Sequence, residues 1–432
     1  RQDITGEYEI RETDNIDFSG NKVSRIILSI PKDVAKLRRE LENSEIRCYE
    51  ADVRFEYRFM MDMGVKGSLA IQGSPLKETR DILVENEKYN VNNVYLNPEI
   101  TGTQEEDYRL SLFSFDIETD RFANSIFTIS YYFIDKKTSI KKFESLIVST
   151  KKVKGARVFS EEKSMLEYFS KKIIELDPDI ITGWNVIDFD MNVLQKKYKY
   201  HKIPFEWGRT NWPNRVTISN EFIRESKASI PGRSVLDGIS IVKSNFVRLT
   251  DYKLDTAAQE ILGDNKIAVE TESKAEQIER MYKEDPQRLV EYNAKDAELV
   301  IRIIDQKELS ELSIKRSLLT GMPLDRISAS VATLDSLYIR AARAKGIVCS
   351  SVTTTQKEAP GKGGYVMEPN AGIYDNVLVL DFKSLYPSIM ITFHIDPINL
   401  LPRNTTQKNV IEAPNGAIFK NEEGILGELI RY

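Results

Sequence analysis

The sequence predicts an α/β (α+β) protein built on a mixed sheet covered by helices. Three observations carry this reading. Three strand-like runs follow one another from residue 108; a helix, a short buried strand and a second helix come next, in the order β-β-β-α-β-α; and residues 285–306 form one long amphipathic helix. At 432 residues the chain predicts two or three domains.

The first region, residues 1–105, reads as a small α/β N-terminal domain. IILSI (26–30) predicts a strand, and PKDVAKLRRELEN (31–43) an amphipathic helix opened by Pro31. The polar stretch GTQEED (102–107) marks a boundary. Beyond it, YRLSLFSFDIE, SIFTISYYFI (125–134) and KKFESLIV (141–148) predict an antiparallel meander. SEEKSMLEYFSKKIIEL (160–176) predicts a helix with Ser160 at its N-cap. DPDIITGWN (177–185) reads as a turn and a buried strand, and VIDFDMNVLQKKYKY as the start of a further helix. The 285–306 helix has Asp285 at its N-cap and Pro286 at its first position. Residues 309–346 are helical with a break at Gly321-Met322-Pro323. APGKGG (359–364) predicts a flexible crossing, and VLVLDFKSLYPSI (377–389) a buried strand running into a turn.

Composition narrows the chemistry. With 41% hydrophobic and 29% charged residues the chain is globular, and no run of about 18 apolar residues predicts a membrane helix. The start, RQDITGEYEIRE, has no signal-peptide core and no initiating Met, so the front is expected to be cut. Cys48 and Cys349 are expected to be reduced, buried thiols of a cytosolic protein. His201 and His394 are the only histidines, which argues against His/Cys zinc sites and Ser-His-Asp triads. A metal in this chain is expected on carboxylates, which suits Mg²⁺ or Mn²⁺. The net charge of −5 does not advertise a nucleic-acid partner. The basic runs 136–142, 151–157 and 195–202 are solvated faces or phosphate contacts. The last interleaves Tyr198 and Tyr200 with lysines, as single-strand contacts do.

Four acids stand out against this background. Asp116 and Glu118 sit two residues apart in FSFDIETD (113–120), so in a strand they share one face and repel. Asp190, in GWNVIDFD (183–190), lies near a helix start, where an anion is favoured whether or not it has a further role. Asp296 falls on the apolar stripe Leu289, Tyr292, Asp296, Leu299, Val300 and Ile303. Buried there it needs a cation or a proton, and Tyr292 packed over a neutral Asp296 is the bland alternative. Taken together the four carry −4, which two divalent cations would cancel. That is the arithmetic of a two-metal phosphodiester-hydrolysing site, with Tyr292 placed to orient the attacking water.

DIE, GWNxxxFD and YNxxD, in this order, resemble the 3′–5′ exonuclease domain of family B DNA polymerases. GGYVMEP (363–369) and DFKSLYPSI (381–389) resemble that family's domain-junction motif and first palm motif. EADVRFEYRFMMDMG (50–64) and LDGISIVK lean toward the DNA polymerase II-like branch of bacteria and archaea. The resemblance implies an RNase H-like exonuclease domain over 106–309, a helical connector returning to the N-terminal domain over 310–350, and the start of a polymerase palm over 351–432. It implies that Asp116, Glu118, Asp190 and Asp296 hold two metal ions, and that Asn185 and Phe189 line the groove for the 3′-terminal nucleotides. It further implies that Asp381 is a polymerase metal ligand, that Phe382, Ser384 and Leu385 approach an incoming dNTP, and that Tyr386 is the steric gate against ribose. DNA is the implied partner, a sliding clamp a possible one, and the implied location a prokaryotic cytoplasm at the nucleoid.

Two departures qualify this. Gly361 stands where many members carry a Tyr before the paired glycines. No KxxxNSxYG or YGDTDS motif occurs, so the chain alone is expected not to polymerise, and residues 350–432 are expected to be partly disordered or repacked. The alternative reading is a non-catalytic DNA-binding or scaffolding piece.

Overall fold

The computed structural model describes residues 7–76, 82–84, 87–103, 108–219, 226–264, 274–326, 328–351 and 366–431. The predicted boundary at 102–107 and the crossing at 359–364, with Gly361, lie largely outside these residues. The chain divides into two compact units: residues 63–330, and residues 1–62 together with 331–432.

Residues 63–330 are organised by a six-stranded mixed sheet. Its order is Ala156–Phe159, Lys141–Val148, Ile126–Ile134, Leu112–Thr119, Ile180–Gly183 and Ser234–Asp237. The 112–119, 126–134 and 141–148 strands form the expected antiparallel meander. Ile180–Gly183 pairs parallel with the 112–119 and 234–237 strands, and Ala156–Phe159 parallel with 141–148. Two of these strands, 156–159 and 234–237, were not expected from the sequence. Each has four residues, too few for a period of two to show.

The two faces of the 112–119 strand serve different ends. Phe113, Phe115 and Ile117 point into one core, with Met165, Leu166 and Phe169 from the helix Glu162–Leu176 and with Tyr198 and Trp207. Phe169 packs edge-on against Phe115 (5.4 Å between ring centres) and Trp207 (5.5 Å). Across the other face lies the helix Pro286–Gln306, which packs on the 112–119, 126–134 and 141–148 strands. Its start is the one expected: the Asp285 carboxylate accepts from the Arg288 N–H at 3.1 Å, and Pro286 occupies the first turn.

Other expectations are corrected. Ser160 is not a cap, because the helix begins at Glu162 after Glu161, which makes no side-chain cap bond. In the basic run 195–202, Tyr198 is a fully buried core residue, and Lys197 is buried and bonded to Glu162 at 2.7 Å. Of its two tyrosines only Tyr200 stays exposed, because on the helix Asn192–His201 it faces away from the side that buries Val193, Leu194 and Tyr198. Lys136, in the first basic run, is paired with Asp305 at 2.9 Å and with Glu311. Cys48 is half-buried, whereas Cys349 is buried and its thiol pushed up to about 12, mainly by burial.

In the other unit, Tyr8–Ile16 and Lys22–Leu28 form an antiparallel hairpin, followed by the helices Val34–Asn43 and Phe55–Asp62. The core gathers Tyr338 and Ala342 from the helix Ser330–Ala344 with Ile347, Cys349 and Ile425. The expected buried strand at 377–384 is absent. Those residues have no regular structure, and Val379 and Leu380 are 87% and 89% exposed. A strand apolar on both faces needs layers on both sides, and among the described residues no strand pairs with it. A helix, Leu385–Thr392, takes up the rest of that motif. Further on, Leu400–Leu401, Val410–Glu412 and Ile418–Lys420 make a small antiparallel sheet. The buried Asp396 carboxylate ties this part together, accepting from the Tyr338 hydroxyl and from the Ile398 and Leu426 N–H groups.

Phe169 is the aromatic hinge of the larger core. Phe169→Ala should cost about 3–5 kcal/mol of stability, read as a lowered midpoint in urea unfolding with an unchanged slope.

Candidate metal centre

The end of the 112–119 strand carries the site. Asp116 lies opposite Ser130 and Glu118 opposite Thr128, and the ladder slips between Glu118 and Thr119. A slip of this kind increases local twist and re-aims side chains. Both carboxylates face the 286–306 helix, from which Asp296 points back at them with 2% of its surface exposed. One oxygen from each of Asp116, Glu118 and Asp296 lies within 4.8 Å of the others, the one such acidic group found among the described residues. The donor set is all carboxylate, which suits a hard divalent cation, and three like charges this close call for one.

Asp190 joins them from the other side of the strand. It lies on a π-helical turn, Ile187–Met191, ahead of the helix Asn192–His201. It lies near a helix start as expected, and it also reaches back to the strand. Ile180–Gly183 is paired with 112–114 only, so the N–H of Ile117 has no strand neighbour on that edge. Asp190 Oδ1 accepts from it at 3.0 Å. Gly183 makes the departure possible: a side chain there would meet Phe115 O at 2.6 Å and Val186 at 2.9 Å. Burial, and then the charge of Asp116, push the Asp190 carboxyl well above the usual range.

Tyr292 is buried one turn before Asp296, and burial together with the charges of Asp296 and Glu118 pushes its phenol far up. It therefore keeps its proton and is a hydrogen-bond donor. Two further residues of the site were not singled out in the sequence. Lys274 begins the helix Lys274–Glu284 and places its ammonium 4.0 Å from Glu118 Oε1 and 5.6 Å from the centre of the Tyr292 ring. Its side chain is 60% exposed, yet the protein packed around the ammonium works against its charge; Glu118, Asp116, Asp296 and Asp190 outweigh this and hold the group charged. Asn293 is fully buried, and its Nδ2 donates to Asp116 Oδ2 at 2.7 Å. Lys274 follows a polar stretch with no periodic signal, so nothing local marks it. Asn293 was visible only as a letter of YNxxD.

Asn185 adopts a left-handed conformation (φ 60°) and lines a cleft of about 440 Å³ with Asp188, Asp237 and Lys243. Phe189 is partly exposed on the adjoining turn. Asp237 caps the helix Gly238–Ser244 through the Ile239 and Ser240 N–H groups, and burial raises it to about 6. The residues of the other motif are not gathered into a site. Asp381, Phe382, Ser384 and Tyr386 are exposed, and among the described residues no acidic cluster includes Asp381.

Comparison with known proteins agrees with this geometry. The family described as DNA polymerase family B, exonuclease domain, matches residues 46–257, and that described as DNA polymerase family B matches 328–431. The first match includes Asp116, Glu118 and Asp190 and stops short of Tyr292 and Asp296. DNA polymerase II of Escherichia coli (strain K12) is 30% identical over 96% of this chain and 51% of its own length. A DNA polymerase of Thermococcus gorgonarius is 24% identical over 95% of this chain and 48% of its own. The family B DNA polymerase structure from Pyrobaculum calidifontis superposes with a TM-score of 0.74 at 22% identity, covering 99% of this chain and 54% of that one. The chain belongs to the family B DNA polymerases and carries their exonuclease domain, with its RNase H-like fold. It spans about half the length of the curated relatives it matches.

Two outcomes follow from the charges. Asp237 holds its proton up to about pH 6 in the folded chain, whereas an unfolded Asp releases it near ~4. Between these values the folded state binds more protons, so stability falls as pH rises through the window. Asp237→Asn should flatten that slope in melting temperatures measured from about pH 4 to 6. Lys274→Ala removes a cation from among like charges. It should lower the melting temperature in EDTA and enlarge the rise produced by Mn²⁺; an unchanged rise would mean that Lys274 does not feel the acids.

Proposed function

We propose that the domain at residues 106–309 is a 3′–5′ exonuclease acting on single-stranded or mismatched 3′ ends of DNA, with two Mg²⁺ or Mn²⁺ ions. The observation that carries this is the convergence of Asp116, Glu118 and Asp296 within 4.8 Å, buried beneath the helix that also brings Tyr292. Asp116, Glu118 and Asp296 would hold one ion, with Asp116 shared and Asp190 added for the second. Bound there, divalent cations supply Lewis acidity for phosphodiester hydrolysis. The Tyr292 phenol, held protonated, donates a hydrogen bond that orients the attacking water. Positive charge held beside Asp190 would favour its ionised form. Asn185, Phe189 and the cleft beside them would take the terminal nucleotides, and unpaired ends suit such a groove because no pairing has to be broken.

The relatives' names, DNA polymerase II and DNA polymerase, support a wider assignment to DNA synthesis with proofreading, in the polymerase II-like branch. On that reading Asp381 is a polymerase metal ligand, Phe382, Ser384 and Leu385 approach the dNTP, and Tyr386 is the sugar gate. The division into an N-terminal domain (1–105), exonuclease (106–309), connector (310–350) and start of the palm (351–432) belongs to the same proposal. So do a sliding-clamp partner and a nucleoid location in the cytoplasm. The second reading is a DNA-binding or scaffolding piece without catalysis, and the exposure of 377–386 is the observation that favours it.

The test is degradation of single-stranded and 3′-mismatched DNA by the purified chain in Mg²⁺ or Mn²⁺. Shortening from the 3′ end is expected. Asp116→Ala should reduce it by more than ~10²-fold, since even partners behind a metal ligand cost 10–100-fold. Tyr292→Phe should slow it with little change in KM. DNA binding without shortening would favour the scaffolding reading.

A further inference from the structure

We infer that Asn293 is a positioning residue that holds Asp116 in its metal-binding orientation, an inference that rests on the exonuclease reading above. Asp116 sits on a sheet, with Ser130 across the ladder from it. Ser130 is turned toward Ser145 at 2.8 Å. The Asn293 amide reaches Asp116 from the helix: its Nδ2 donates to Oδ2 at 2.7 Å. Asn293 and Thr128 are both fully buried.

The amide's own orientation follows from its surroundings. Thr128 Oγ1 donates to Leu146 O at 2.7 Å and lies 3.3 Å from Asn293 Oδ1. With the amide turned over, two oxygens would stand 2.7 Å apart at Asp116, so the nitrogen must face the carboxylate. One oxygen of Asp116 is thereby fixed, and with it the plane of the carboxylate and the direction of the other oxygen. The choice of an amide matters. A lysine or arginine in this place would orient Asp116 but also cancel the charge that attracts a cation. Asn293 orients without neutralising.

The experiment compares the wild-type chain with Asn293→Leu and Asn293→Ser. Mn²⁺ binding is measured by calorimetry without DNA, and the Mn²⁺ concentration for half-maximal exonuclease rate on single-stranded DNA is measured separately. Both variants are expected to weaken Mn²⁺ binding about tenfold or more. The half-maximal concentration should rise by the same factor, while KM for DNA at saturating Mn²⁺ stays unchanged. Unchanged Mn²⁺ binding beside a lowered melting temperature in EDTA would reduce Asn293 to a packing residue and overturn the inference. If the Leu variant does not fold, the smaller Ser variant decides by the same comparison. A wild-type chain that binds Mn²⁺ but cuts no DNA would sink the exonuclease reading alone, since calorimetry still decides the part played by Asn293. A wild-type chain that binds no Mn²⁺ would overturn both.

Discussion

Everything at the centre of residues 63–330 is arranged around carboxylates packed between a sheet and a helix. Asp116 and Glu118 cannot turn away from each other, because a strand gives them one face. Asp296 cannot leave, because Leu289, Leu299, Val300 and Ile303 of the same helix are core residues. Apolar packing therefore fixes the positions of charges that repel. The helix binds because its apolar stripe has nowhere else to go, and the acids are carried into proximity by that binding.

The structure relieves the repulsion in three ways. Burial and the field of Asp116 work against the charge on Asp190. Lys274 brings a compact cation to within 4.0 Å of Glu118. Asn293 donates to Asp116. Each is a partial answer, and each is compatible with a divalent cation entering. A lysine on a side chain that is more than half exposed can move away; an acid whose charge is opposed is favoured to ionise by a cation; an amide need not move at all. A site that tolerates its own charge without a cation and still attracts one needs this combination rather than fixed ion pairs.

How much of this could be read from the sequence depends on the range of the interaction. The 285–306 helix was legible in full, since its cap, its first-turn proline and its stripe are all local, and the inward aim of Asp296 follows from the stripe. The meander was legible because three long strands alternate with turns. The strands at 156–159 and 234–237 were not, being short and defined by their neighbours. Tyr198 was misplaced because lysines flank it, although the helix turns it inward. The segment 377–384 was misplaced for the opposite reason. Its residues have the composition of a central strand, but a central strand also needs partners on each side, and composition cannot supply them.

The same distinction separates the two acidic motifs. DIE, GWNxxxFD and YNxxD bring their residues together here because the sheet and the helix that unite them both lie within 63–330 and bury a common core. The aspartate of DFKSLYPSI has no such frame: Asp381 follows an apolar run with no hydrogen-bonded neighbour among the described residues, and its side chain is exposed. A metal-binding acid gains its affinity from other ligands held at fixed distances, and holding them requires packed elements on more than one side. By that criterion Asp116 has such a frame among the described residues and Asp381 does not. The chemistry assigned to this chain should accordingly be sought first beneath the 286–306 helix.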